Sequence, residues 1–147
     1  MQDSSTLSLL SGLLDAVNSY YHPTSAGSYS DKLVEFMNKL IFAFMTRLSR
    51  ERCDLATPIK WIPATGAAHL LTDPQVEQFC RMVLPANLNL ASSRKYVDIE
   101  RINLSILAYI RPDIILPPLL RKLDMSLETL TEPFKFTAAA KCIVAGS

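Results

Sequence analysis

Catalysis would have to start from two histidines and three cysteines. His22 and His69 are the only imidazoles, and Cys53, Cys80 and Cys142 are the only thiols. A Cys-His or Ser-His-Asp centre built on His22 or His69 with Cys53 or Cys80 needs a nucleophile turn and a nest of donors for the oxyanion, and neither is visible. His22 precedes Pro23, which is the setting of a turn residue that caps backbone groups. The cysteines are odd in number and widely separated, with no C-x-x-C pair, so a zinc site and a disulfide framework are both disfavoured. Reduced thiols of a cytosolic or nuclear chain are the natural reading.

Acidic residues are scattered. Asp98 and Glu100 lie two apart, so they do not share a helix face at i, i+4 spacing. Four glycines leave no phosphate-cradling loop. Asn103-Leu104-Ser105 fits a glycosylation sequon, but it falls inside an expected helix and is read as chance. One cluster could bind something: Arg47, Arg50, Arg52 and Lys60 could face an anionic partner such as a polyphosphate. The plainer reading is a solvated helix end, with Glu51 as local partner. No residue is assigned a catalytic, cofactor-binding or metal-binding role.

These residues sit on a chain that reads as helical throughout. Hydrophobic residues make up 49% of 147 positions, enough for a core, and 15 basic residues balance 14 acidic ones. That balance gives no electrostatic footprint for direct nucleic-acid binding. The first residues lack a basic region ahead of an apolar one, so no signal peptide is read. No apolar run reaches the roughly 18 residues that a membrane span requires.

Apolar residues recur at helical spacing in six stretches, with no alternation of the kind strands show. Helices are expected near 5–21, 31–52, 73–91, 97–110, 113–127 and 132–145, with a loop over 53–71. In the second, Leu33, Phe36, Met37, Leu40, Ile41, Phe44 and Leu48 form the expected buried stripe, with Ser30 or Asp31 as N-cap. A charge at Phe36, Leu40 or Phe44 is expected to be the most damaging change. The third opens with Leu71-Thr72-Asp73-Pro74-Gln75, a capping box with a hydrophobic staple between Leu71 and Val76. Val76, Phe79, Cys80 and Val83 form its core face, and Pro85 is expected to bend or end its first part. In the fourth, Ile99, Ile102, Ile106 and Ile110 make a stripe that Leu104 and Leu107 widen. The fifth is expected to be short and irregular at Pro117-Pro118. The string Leu-Thr-acid-Pro occurs at 71–74 and again at 130–133. The sum is an all-α, irregular HEAT/armadillo-like helical-repeat solenoid of about three helical pairs, read as an internal piece of a longer stack.

Several strings, in order and with approximate spacing, resemble the giant HEAT-repeat proteasome activator family (proteasome activator complex subunit four). They are Ser19-Tyr20-Tyr21-His22-Pro23, Arg47-Leu48-Ser49-Arg50-Glu51-Arg52, Trp61-Ile62-Pro63 and Leu71-Thr72-Asp73-Pro74-Gln75-Val76. The most specific are the run from Arg111 through Pro112-Asp113-Ile114-Ile115-Leu116-Pro117-Pro118 to Leu120, and Leu127-Glu128-Thr129-Leu130-Thr131-Glu132-Pro133. The resemblance runs from about Leu9 to Val144. Tyr29, Ser49 and Phe134-Lys135 depart from the family pattern at expected loop and surface positions.

The resemblance implies a scaffold segment of a dome that caps the proteasome core particle. Such a dome promotes ubiquitin- and ATP-independent degradation of peptides and acetylated proteins such as histones. It implies nuclear and cytoplasmic location and links to DNA repair and spermatogenesis. It also implies a regulator of a peptidase and not an enzyme. The family dome binds inositol polyphosphates, but no residue here is matched to those pockets, so no cofactor is expected in this segment. Expected partners are the proteasome core particle through the full-length protein, neighbouring helical repeats and acetylated histones, with no direct nucleic-acid or membrane contact. The activating C-terminal tail of the family is not expected in this chain. The alternative reading is a free-standing helical-repeat adaptor for an unrelated protein.

Overall fold

A computed structural model describes residues 3–22, 27–53, 70–93, 95–128, 137 and 140–144. Helix α1 spans Asp3–Val17 and runs into a 3-10 turn at Asn18–Tyr21. Helices α2 (Ser28–Cys53), α3 (Asp73–Leu90), α4 (Val97–Ile110) and α5 (Pro112–Glu128) follow, and 140–144 is again helical. No strand occurs among the described residues. Cys53, expected to open the loop, is the last residue of α2; Trp61, His69, the rest of that loop up to 69, and the second Leu-Thr-acid-Pro string lie outside the described residues.

The packing follows chain order. Helix α3 contacts both α1 and α5, while α4 contacts α2 and also touches α3 and α5. Odd helices therefore form one layer and even helices a second, which is how stacked helical pairs bury a shared core. One contiguous core runs through every described helix, from Leu14 to Cys142. Phe44 of α2 and Phe79 of α3 stack at 3.7 Å between centroids and 7° between planes, tying the first pair to the second.

Helix α3 begins as its sequence demands. The Thr72 backbone N–H donates to Gln75 Oε1 at 2.9 Å, the Thr72 hydroxyl donates to the same oxygen at 3.0 Å, and Val76 N–H returns to the Thr72 carbonyl at 3.0 Å. Val76, Phe79, Cys80 and Val83 are all buried. Pro85 does not end the helix, which continues to Leu90. Pro85 is on the exposed side, so the Arg81 carbonyl it leaves unbonded can meet water.

Other expectations are corrected. Helix α2 starts at Ser28, earlier than a cap at Ser30 or Asp31, because the Ser30 N–H already donates to the Gly27 carbonyl at 3.0 Å. Its buried face contains Val34, Met37, Ile41 and Leu48; Leu40 and Phe44 are half-buried, and Phe36 is exposed. Helix α5 is a continuous 17-residue helix that includes Pro117 and Pro118. Ile114, Ile115 and Leu119 anchor it to the core around that dipeptide.

The largest correction concerns α4. Ile99 and Ile102 of the isoleucine stripe are exposed, at 39% and 50%. Leu104, Leu107 and Ile110 of the expected face are buried and Ile106 is half-buried, but the buried face is completed by Val97, Glu100, Asn103 and Ala108. The helix is thus turned by about 100°, one residue's step, from the orientation its isoleucines suggest. It can turn because its polar residues find partners inside.

Candidate interaction site

Two asparagines and an acid occupy the centre of the protein where core is expected. Asn87 of α3, Asn103 of α4 and Glu100 of α4 each have no solvent exposure. Asn38 Nδ2 of α2 donates to Asn103 Oδ1 at 2.8 Å, and Asn103 Nδ2 is shared between Asn87 Oδ1 and Glu100 Oε1, both at 3.3 Å. Asn87 Nδ2 donates to the Val83 carbonyl at 2.7 Å within its own helix. This ladder joins three helices. Burial pushes the Glu100 carboxyl up to about 8, and the Asn103 hydrogen bond offsets that only in part. The Tyr21 phenol, fully buried, rises to about 12 through burial first and the nearby Glu100 second.

The ladder emerges at Asn38 in a groove of about 300 Å³ between α2 and α4, lined by Asp31, Val34, Glu35, Asn38, Tyr96, Ile99 and Ile102. At one end the Tyr96 hydroxyl donates to Asp31 Oδ1 at 2.5 Å, and Lys95 pairs with the same oxygen at 2.5 Å. The hydrogen bond from Lys95, then that from Tyr96, holds the Asp31 carboxyl below its usual range. Glu35 is likewise held down, by Lys39 first and Lys32 second. The groove therefore offers an apolar wall and one amide, with its carboxylates already paired. It can bind by shape and a hydrogen bond; it holds no assembled acid-base pair.

The sequence-derived candidates do not converge there. Arg47 pairs with Glu51 at 2.7 Å, and Arg52 pairs with Asp73 at 3.0 Å. Arg50 is exposed in the last turn of α2, and Lys60 lies outside the described residues. Glu51 also accepts the Leu71 N–H at 2.8 Å, so two members of the basic cluster help close α2 onto the start of α3. His22 is exposed at the bend after the 3-10 turn. Cys80 has no exposure, and burial raises its thiol to about 11, which makes it a poor nucleophile. Cys142 is raised to about 11, first by burial and then by Glu100. Both thiols are free. Asn103 of the sequon is sealed in the core. Among the described residues no group of three metal-ligating side chains converges, and no helix is long and apolar enough to cross a membrane.

Sequence reasoning missed the ladder. Only Asn87, Glu100 and Asn103 in otherwise apolar stretches could have signalled it, since α4 then has two competing faces.

Paired helices in two layers around one core define a helical-repeat scaffold. Residues 10–145 match the family described as proteasome activator complex subunit 4, mid HEAT repeats region. The chain belongs to the proteasome activator complex subunit 4 family. It is similar to the proteasome activator complex subunit 4 of Xenopus laevis, with 35% identity over 136 residues, and to that of Homo sapiens, with 34%. A proteasome activator subunit 4 of Arabidopsis thaliana shares 29% over 142 residues. Each alignment covers 92% of this chain and 7% of the relative, so the chain spans a small internal part of the proteins it matches.

Proposed function

We propose that this chain serves as a structural segment of a proteasome activator, stacking with further helical repeats into a wall that caps the proteasome core particle. The observation that supports this reading is the family match across residues 10–145 on a core of paired helices. In the proposed role the full-length protein favours ubiquitin- and ATP-independent breakdown of peptides and of acetylated proteins such as histones, in nucleus and cytoplasm. DNA repair and spermatogenesis are the proposed settings. The segment itself regulates a peptidase and carries out no bond cleavage. Arg47, Arg50, Arg52 and Lys60 are the proposed contact for an anionic partner; two of these arginines would have to exchange their intramolecular carboxylates for it.

The test is a native gel of source extract probed with an antibody raised to residues 91–147. We expect signal that co-migrates with the proteasome core, and a denaturing second dimension that shows a long polypeptide. Signal confined to small, proteasome-free species would overturn the activator role and favour an adaptor.

A further inference from the structure

We propose that Glu100 is a proton-held lock: its neutral carboxylic acid closes the junction between α4, α3 and segment 140–144, and loss of the proton loosens that junction. Glu100 has no solvent exposure, and its Oε2 has no hydrogen-bond partner among the described residues. Oε1 accepts only the long 3.3 Å bond from Asn103. An ionised carboxylate in such a site would be a charge without solvation or counter-ion, which proteins avoid by keeping the proton.

Among the described residues no cation pairs with Glu100, and its one hydrogen bond is the long one from Asn103. From the 3-10 turn comes the Tyr21 phenol, from 140–144 the Cys142 thiol, and both feel the Glu100 charge as unfavourable. Helix α3 offers the neutral amide of Asn87, and α2 that of Asn38, both through Asn103. On α5 the cation acting on this cluster is Lys122, which influences Cys142 and donates to the Leu88 carbonyl. On α4 itself Asp98 is exposed, and so is Arg101, which acts on Cys142 as a second cation beside Lys122. A glutamine at this position would keep the shape and add a donor; glutamate makes the closed junction depend on a bound proton.

The sign follows from linkage. When the junction opens, Glu100 meets water and returns towards its ordinary value of 4.5, whereas closed it titrates near 8. Between those limits the closed form holds a proton that the open form has released. Each unit of rising pH therefore favours opening about tenfold, and the effect levels off above about pH 8. Acidification tightens the junction and alkalinisation loosens it.

The experiment compares the 147-residue chain with Glu100→Gln. Melting and urea unfolding are followed from about pH 4.5 to 9. We expect nearly equal folding constants at the acid end, and a gap in favour of the glutamine variant that widens about tenfold per pH unit and then becomes constant above about pH 8. Parallel curves overturn the lock. A second readout uses only the wild-type chain, should the variant fold poorly. Native-state thiol labelling of Cys142 is read as a ratio to Cys80: both are buried and raised to about 11, and a charge on Glu100 would only suppress the Cys142 thiolate, so a rising ratio reports opening. A Cys142-to-Cys80 ratio that climbs across the same window supports local opening at Glu100; a flat ratio overturns it.

Discussion

Replacing Asn103 with leucine removes one amide and strands three partners. Asn38 loses its acceptor at 2.8 Å, and Asn87 Oδ1 and Glu100 Oε1 lose their shared donor. A buried polar group left without a partner costs about 1–3 kcal/mol, and two of these three are fully buried. We expect Asn103→Leu to destabilise the chain by roughly 2–4 kcal/mol, read as a lowered urea midpoint at pH 6, and Asn103→Asp to do no better. An unchanged midpoint for the leucine variant would mean that the ladder adds nothing to the core. These residues were not legible in the sequence. Asparagine and glutamate on an amphipathic helix are assigned to water by default, and only three-dimensional partners 16 and 65 positions away reverse that assignment.

At the level of elements, legibility depended on how local the deciding interaction is. The start of α3 could be read because Thr72, Gln75 and Val76 act within one turn. The core face of α3 could be read because its apolar residues have no rival stripe. Helix α4 is apolar over too much of its circumference to be oriented from sequence: Ile99 and Ile102 extend the face that Leu104 and Leu107 share, and the buried amides turn those two isoleucines outward. The sequence of α5 reads as short and irregular because two prolines usually interrupt a helix; here Ile114, Ile115 and Leu119 hold it through the interruption. The groove was illegible for the same reason as α4: its wall is the face that was expected to be core. The local reading of α3 gives a direct test. Thr72→Ala combined with Gln75→Ala should cost about 1 kcal/mol, seen as a lower melting temperature and faster amide exchange in the first turn of α3. Slow exchange retained at Val76 would show that the staple alone sets the helix start.

For the whole molecule, the two-layer stack leaves large apolar side chains uncovered. Leu9, Tyr29, Phe42 and Tyr109 are each more than 60% exposed, and Ile102 is half exposed. Ile102 and Tyr109 lie seven residues apart, two turns along α4, so their exposed side chains share one side of that helix, where a contact surface can form. The chain alone is expected to associate with increasing concentration in sedimentation velocity, and Ile102→Gln with Tyr109→Gln to weaken that association. A monomer at all concentrations would show that this surface is not adhesive. The stack also has a closed seam: Glu51 takes the Leu71 N–H, and Arg52 meets Asp73, so the last turn of α2 is fastened to the first turn of α3. Whatever chain runs between those two fastenings starts and finishes at neighbouring points, so changing its length carries only the slowly growing entropy of a larger ring. The two anchor points stay neighbours whatever length of chain joins them, which is the geometric condition for grafting a reporter domain between them.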